Sequence, residues 1–160
     1  MVTENSKNWR NSTGKLGEQL LRHFLTQRNI ETQDVGDLDF PYDLIVNVPD
    51  GVIFKKKAVI QVKAESKVPK LYPNYTFLPH KYQWEEMLVR KKYTDCADYE
   101  MWLALLWINW QDNKLQFKGC LCPEGQITEA DFRPSVDRPS IYFWKIWNKS
   151  PIKFESKEPT

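Results

Sequence analysis

The chain has few of the residues that build the most familiar cofactor and catalytic sites. Its 160 residues include 6 glycines, 3 cysteines and 2 histidines. The glycines are scattered, so no glycine-rich loop predicts a nucleotide phosphate site. Cys120 and Cys122 lack the two-residue spacing of a zinc knuckle, and Cys96 adds no fourth ligand, so buried thiols are favoured over zinc. His23 and His80 are far apart, which leaves no basis for a His-dependent catalytic set.

The chain also lacks a strong net charge and a long apolar run. Lys+Arg number 23 and Asp+Glu 21, a net charge of +2, so bulk charge does not require nucleic acid. The longest apolar run, Met101–Trp110, is about half the length of a membrane-spanning helix, which predicts no membrane partner. The odd cysteine count and the polar start predict a cytoplasmic protein. With 41% hydrophobic residues, we expect one domain over residues 1–160.

Hydrophobic periodicity predicts a mixed α/β fold. An apolar stripe predicts a first helix over residues 14–28, after a polar arm over residues 1–11. A hairpin is expected around the turn Pro49-Asp50-Gly51, and a polar tail over residues 151–160. The other predicted elements are strands over 31–36, 42–48, 57–64, 99–109, 115–121 and 141–147, a helix over 81–92, and an irregular loop over 68–80.

Polar residues interrupt the two apolar strands of the predicted hairpin. Asp43 opens the first strand within Pro41-Tyr42-Asp43-Leu44-Ile45-Val46, and the second reads Val59-Ile60-Gln61-Val62-Lys63. Because strand side chains alternate with a period of two, Gln61 and Lys63 point to the same face. A carboxylate, an amide oxygen and an ammonium can therefore meet on one side of the hairpin. That arrangement suits a divalent metal ion held against a phosphate.

Glu18 adds a second carboxylate from the first predicted helix. It lies three residues before Leu21 and seven before Leu25, on or beside the apolar stripe. A carboxylate there needs a partner, which a metal ion or a lysine would supply. Each residue alone has a simpler interpretation. Asp43 would be a turn residue, and Gln61 and Lys63 the solvated face of an amphipathic strand.

In order and spacing these residues resemble the PD-(D/E)XK nuclease superfamily, over about residues 12–92. The resemblance implies a restriction-endonuclease-like αβββαβ core, a central mixed sheet flanked by helices, followed by strands in residues 93–150. It implies that Mg²⁺ or Mn²⁺ is held by Glu18, Asp43, Gln61 and the carbonyl of Val62. Lys63 would orient the attacking water or stabilise the transition state. Gln61 stands where the family usually has Glu or Asp, which removes one negative charge and weakens metal affinity.

Basic and aromatic residues are candidate contacts for the double-stranded DNA that the resemblance implies. For the three-lysine run before the second hairpin strand, a phosphate contact and a solvated turn both remain open. Aromatics between prolines could stack on bases, although they more often pin a loop to the core. The candidates are Lys55, Lys56, Lys57, Lys67, Lys70, Tyr72, Tyr75 and Lys81.

The sequence favours a metal-dependent DNA endonuclease of homing, restriction, resolvase or defence type, working as a homodimer or homotetramer. Gln61 leaves open a catalytically weak or inactive nucleic-acid-binding module of the same fold. A structural or assembly protein is a third hypothesis, because aromatics at alternating strand spacing predict either core or a subunit contact. Those aromatics are Trp102, Trp107, Trp110, Trp144 and Trp147.

Overall fold

The computed structural model describes residues 4–66, 75–134 and 137–156. Its helices are α1 (Glu4–Thr26), α2 (Lys81–Lys91) and α3 (Phe143–Lys149), with short 3-10 turns at Glu124–Gln126 and Glu129–Asp131. Its strands are β1 (Gln33–Asp34), β2 (Leu44–Val46), β3 (Ala58–Glu65), β4 (Thr76–His80), β5 (Glu100–Gln111), β6 (Lys114–Pro123), β7 (Ser140–Tyr142) and β8 (Ile152–Glu155).

A central mixed sheet contains most of these strands, in the order β1-β2-β3-β5-β6-β8. β3 and β5 run parallel, and the other neighbours in the sheet are antiparallel. Leu44 of β2 pairs with Ile60 of β3, which in turn pairs with Trp102 of β5. Among the described residues, β4 and β7 form a separate two-stranded sheet. The predicted mixed α/β class and the hairpin around Pro49-Asp50-Gly51 are confirmed.

The central strands are buried on both faces because their side chains alternate between two apolar cores. Each fully buried large side chain contributes about 1.5 to 3 kcal/mol to stability. The core beneath α1 includes Leu21, Phe24, Leu25, Leu44, Ile60, Val62, Ala104 and Leu106. The core beneath α2, α3 and the small sheet includes Ile45, Val59, Phe77, Trp84, Leu103, Leu105, Ile141, Phe143 and Ile146.

The first helix is longer than its apolar stripe. α1 begins at Glu4, so the predicted polar arm is wrong for residues 4–11. Once a helix is nucleated, each added residue gains a backbone hydrogen bond without needing an apolar face. The predicted irregular loop over 68–80 is also wrong where β4 occupies Thr76–His80 and pairs with β7.

The C-terminal part of the chain differs most from its prediction. The predicted strand over 141–147 ends at Tyr142, and α3 occupies Phe143–Lys149. Residues 93–150 are therefore not strands alone. Trp144 and Trp147 pack against the core from this helix, because their spacing of three places them on one helical face. The predicted polar tail is wrong for residues 152–155, where β8 pairs with β6.

The three cysteines are core residues, and so are two of the three tryptophans of β5. Cys96, Cys120 and Cys122 are free and buried, as predicted. Burial raises the pKa of Cys120 to about 12 and that of Cys122 to about 11, so both remain unreactive thiols. Trp102 and Trp107 lie in the core, whereas Trp110 is exposed. Within the described ranges, none of the helices has the length and apolar character to cross a membrane.

Candidate metal site

Asp43 lies where the regular pairing of β2 and β3 ends. Its backbone N–H donates to the carbonyl of Ile60 at 2.8 Å, and its carbonyl accepts from the N–H of Val35 at 2.8 Å. The ladder ends with Leu44 opposite Ile60. Beyond it, the N–H of Val62 donates to Oδ2 of Asp43 at 2.8 Å. The carboxylate takes the place of a strand carbonyl and is thereby fixed against β3.

The surroundings of Asp43 favour a bound cation. Burial raises its pKa and nearby Asp34 adds to that rise, while the hydrogen bond from Val62 and the charge of Lys63 oppose it. From the described part of the chain, Oδ1 of Asp43 accepts no hydrogen bond. An oriented carboxylate with one oxygen available is a suitable ligand for Mg²⁺ or Mn²⁺.

Gln61 and the carbonyl of Val62 lie side by side next to Asp43. Gln61 is 7% exposed. It follows Ile60 on β3, and Ile60 pairs with Leu44, the residue after Asp43 on β2. The side-chain Nε2 of Gln61 donates to the carbonyl oxygen of Val62 at 3.4 Å, a weak hydrogen bond. A half-turn of the amide exchanges its nitrogen and oxygen. Two of the predicted oxygen ligands can then point in the same direction.

Lys63 supplies positive charge at this site. Its side chain is partly buried, and its charge stabilises the ionised form of Asp43. Ile60 and Val62 are buried in the core beneath α1. Because side chains alternate along β3, Gln61 and Lys63 lie on the other face of the sheet.

Glu18 approaches from α1, on the face of the sheet opposite Gln61 and Lys63. Gly17 allows this approach, because a Cβ at that position would lie 2.6 Å from the Cβ of Ala64 on β3. The carboxylate of Glu18 lies against Gly36, where an added Cβ would be 3.0 Å from Oε1. The close approach of Gly17 to the side chain of Ala64, and of Gly36 to the carboxylate of Glu18, therefore sets the position of Glu18.

Acidic neighbours surround Glu18. Burial raises its pKa to about 7, and the charges of Asp43, Asp34 and Asp37 raise it in that order, while Arg22 lowers it. Glu18 and Asp43 therefore lie close enough for their charges to repel. Asp43 interacts electrostatically with both Glu18 and Lys63, and so links the acid on α1 to the polar pair on β3.

A groove of about 620 Å³ opens beside Glu18, between α1 and the segment after β1. Arg22 crosses it, with Nη1 3.8 Å from Oδ2 of Asp34 and Nε donating to Oγ1 of Thr32 at 3.0 Å. Gly36 donates its N–H to Oδ1 of Asp34 at 2.9 Å. The lining residues are Gly14, Lys15, Glu18, Gln19, Arg22, Asp34, Gly36 and Asp37.

Sequence reasoning missed Asp34 and Asp37 as neighbours of the site. Both lie in a short polar stretch, where an acid is ordinary, so apolar periodicity did not distinguish them from other polar residues. Their three-residue spacing next to the Asp43 strand was the available signal. They matter because they increase the negative charge that Asp43 and Glu18 experience.

The donor atoms fit a hard divalent cation. The predicted set has two carboxylates, one amide oxygen and one backbone carbonyl, and Mg²⁺ typically binds one or two protein carboxylates together with waters. Over the described ranges, no group of three or more His, Cys, Asp or Glu residues is arranged to hold a metal ion.

The candidate lysines for nucleic acid lie in different surroundings. Lys55, Lys56 and Lys57 are exposed in the turn before β3. Lys81 begins α2, and its Nζ lies 2.7 Å from Oε1 of Glu129, so its charge is already paired. Lys67 and Lys70 lie outside the described residues, as does Tyr72.

Tyr75 packs into the protein. Its hydroxyl donates to Oε2 of Glu65 at 3.4 Å, and burial, aided by Glu65, raises the pKa of the phenol. The ring centroid lies 5.4 Å from that of Phe77 and 6.3 Å from that of Phe143. These contacts favour the role of pinning the loop over that of stacking on a base.

Comparison of the chain with protein-family models, curated proteins and solved structures found no significant match. The function of the site is therefore inferred from its own geometry and charge.

Proposed function

We propose that the protein is a metal-dependent endonuclease that hydrolyses phosphodiester bonds in double-stranded DNA. The position of Asp43 supports this most. Its carboxylate is oriented by the N–H of Val62 and interacts with the charges of both Glu18 and Lys63. Asp43 thus interacts electrostatically with Glu18 of α1 and with Lys63, which lies on the other face of the sheet.

Each residue has a separate role in the proposed reaction. Asp43 would hold Mg²⁺ or Mn²⁺ through the oxygen that Val62 does not use, and Gln61, the Val62 carbonyl and Glu18 would contribute oxygens directly or through water. The ion, when bound, polarises the phosphate and lowers the pKa of a coordinated water. Lys63 donates hydrogen bonds that orient this water or stabilise negative charge on the phosphate.

The electrostatics of the site support the binding of a cation. Glu18 and Asp43 have raised pKa values because they are partly buried near other carboxylates. Repulsion among like charges destabilises the folded state unless an opposite charge compensates it. Arg22 and Lys63 compensate in part, and a divalent ion between Glu18 and Asp43 would supply the remainder.

Cleavage of supercoiled plasmid with Mg²⁺ or Mn²⁺ tests the proposal. Asp43→Asn keeps an oxygen that can accept from Val62 but removes the charge, and Lys63→Ala removes the ammonium. Each is expected to lower the cleavage rate by about 10²-fold or more, as is typical for a group that stabilises the transition state. Lys114→Ala, which removes an exposed lysine at the start of β6, is the matched control. Wild-type rates in Asp43→Asn or Lys63→Ala protein would refute the proposal.

One small domain has one active site, so cutting both strands of a duplex requires two copies. We therefore propose a homodimer or homotetramer, of homing or restriction type. Linear plasmid appearing without a nicked intermediate, together with a dimeric mass in solution, would support this. A monomer that only nicks would contradict it. We also propose a cytoplasmic location, which the free buried cysteines support.

A second candidate is a catalytically weak or inactive nucleic-acid-binding module of the same fold. Gln61 favours it, because a buried amide brings no negative charge to the metal. Calorimetry with Mn²⁺ separates the two functions. DNA binding without metal binding would favour the module. If the endonuclease proposal holds, Gln61→Glu should instead raise both metal affinity and cleavage rate, since it restores a carboxylate.

A further inference from the structure

The turn between β2 and β3 has a fixed shape. Oδ1 of Asp50 accepts the N–H of Phe54 at 2.8 Å, and Oδ2 accepts that of Ile53 at 3.2 Å. The N–H of Gly51 donates to the carbonyl of Phe54 at 2.9 Å, and Gly51 takes a φ of 81° that other residues rarely adopt. Phe54 is fully buried and packs edge-on against Trp102. The turn is thus anchored to the core.

This rigid turn presents apolar side chains to solvent. Val48 is 74% exposed and Val52 is 80% exposed. A single exposed apolar residue is ordinary on a protein surface. Two on one anchored turn, beside a dense group of positive charges, form a surface with both apolar and basic character.

The positive charges come from Lys55, Lys56 and Lys57, all exposed. Within the part of the chain that the structure describes, none of the three forms an ion pair. The side chain of Lys57 lies over the ring of Tyr99, with Nζ 5.6 Å from the centroid. Asp50 is the acid of this turn, and both its oxygens are used by backbone N–H groups.

The turn lies at a distance from Asp43 that a duplex could span. Val46 pairs with Ala58 where the turn meets the hairpin, three residues along β2 from Asp43. At 3.3 Å per residue, that separation is about 10 Å. It corresponds to roughly three base pairs at 3.4 Å each.

We propose that this turn is a DNA contact in its own right, separate from the metal site. Val48 and Val52 lie in a groove of the duplex, and Lys55, Lys56 and Lys57 bind the flanking phosphates. Proteins that bind the minor groove commonly place exposed apolar side chains there, at the base steps. The lysines supply charge complementarity, and each phosphate contact releases counterions. This inference rests on the proposed function for its ligand.

Fluorescence anisotropy with a labelled 20-base-pair duplex in EDTA tests the contact without cleavage. Replacing all three lysines by alanine should weaken binding at least tenfold and reduce the slope of log K against log salt by about 2.7, from 0.9 per phosphate. The control replaces three other exposed lysines, Lys92, Lys114 and Lys153, by alanine. It should change the affinity and the salt slope less than the first variant does. Val48→Ser with Val52→Ser should weaken binding about tenfold and leave the slope unchanged, because no charge is removed.

The outcomes separate this inference from the nuclease proposal. Unchanged affinity and slope in the three-lysine variant, with cleavage intact, would overturn the inference and leave the nuclease standing. Turn-dependent binding by a protein that does not cleave would support the inference and refute the nuclease. Tighter binding of the wild type to phosphatidylserine vesicles than to the duplex would also overturn it, because the turn would then recognise a lipid surface.

Discussion

Two regions of the molecule place their carboxylates in opposite surroundings. Beside α3, Asp131 is 2% exposed, yet its Oδ2 lies 2.7 Å from Nζ of Lys149 and accepts the N–H of Thr128 at 2.8 Å. At the candidate metal site, Glu18 and Asp43 lie beside further acids, and their pKa values are raised. One region satisfies its charge, and the other accumulates charge of one sign.

From this difference we propose that the region beside α3 serves stability and that the acids near α1 serve function. A buried carboxylate with a lysine and a backbone donor holds the 3-10 turn at Glu129–Asp131 to α3. A group of carboxylates that repel one another does not by itself stabilise the folded state. Strongly shifted acids in a groove are typical of functional sites, although structural networks can also produce them. The acids near α1 are therefore the ones to which we assign a ligand.

The largest effect is expected at the satisfied carboxylate. Asp131→Ala leaves Lys149 without its partner and Thr128 without its acceptor, so the free energy of unfolding should fall by about 3 kcal/mol. Urea denaturation measures it. Glu86→Ala, on the exposed side of α2, is the control and should be close to neutral. A loss below about 0.5 kcal/mol for Asp131→Ala would remove the contrast between the two regions.

Glu18→Gln should change the free energy of unfolding in the opposite direction and stabilise the protein. The folded-state pKa of Glu18 is about 7, against 4.5 unfolded, so ionisation costs stability fully above pH 7. That cost shrinks as pH falls and vanishes below 4.5. Glu18→Gln removes this ionisation cost, so at pH 8 in EDTA the variant's free energy of unfolding should be higher by about 1 to 2 kcal/mol, after discounting for solvent screening.

Exposed Glu31→Gln, shortly after the end of α1, is the matched control for Glu18→Gln, and its free energy of unfolding at pH 8 should be close to that of the wild type. The test is a pair of urea curves at pH 8 and pH 4.5. The gain in the Glu18 variant should be present in the first and absent in the second. A variant that is destabilised at pH 8 would mean that the Glu18 carboxylate is already satisfied by the protein.

A divalent ion should remove the difference between the regions. Binding to the folded state alone stabilises it by about 1.4 kcal/mol at ten times the Kd. Thermal melts with increasing Mn²⁺ should therefore show a rising Tm for the wild type and a much smaller rise for Asp43→Asn. Asp131→Asn, far from the acids around Glu18, should respond to Mn²⁺ as the wild type does. An equal rise in all three proteins would place metal binding elsewhere.

The strands that hold Asp43 and Lys63 could be predicted because they are buried on both faces. Val59, Ile60 and Val62 make an apolar run that is hard to place anywhere but in a central strand. The segment Phe143–Lys149 could not be assigned in the same way. Periodicity alone does not separate so short an apolar run from a buried strand, and packing of Phe143 and Ile146 on the sheet decides for the helix.

The candidate site was partly predictable for a related reason. Asp43, Gln61 and Lys63 interrupt apolar strands, where a polar residue is costly and therefore informative. Asp34 and Asp37 stand in polar surroundings, where an acid is ordinary. Their proximity to Glu18 follows from the close approach of α1 at Gly17 and of the chain at Gly36, which depends on tertiary packing.

The smallest effect is expected where two ion pairs have the same length but different exposure. Nζ of Lys81 lies 2.7 Å from Glu129, as Nζ of Lys149 lies 2.7 Å from Asp131. The Glu129 side chain is 84% exposed and that of Asp131 is 3% exposed. Solvent and salt screen the exposed pair, so Glu129→Gln should change the free energy of unfolding by no more than the error of a urea titration. A loss approaching that of Asp131→Ala would show that contact distance, rather than burial and further hydrogen bonds, decides what a carboxylate contributes. The raised pKa values near Glu18 would then no longer distinguish a functional region from a structural one.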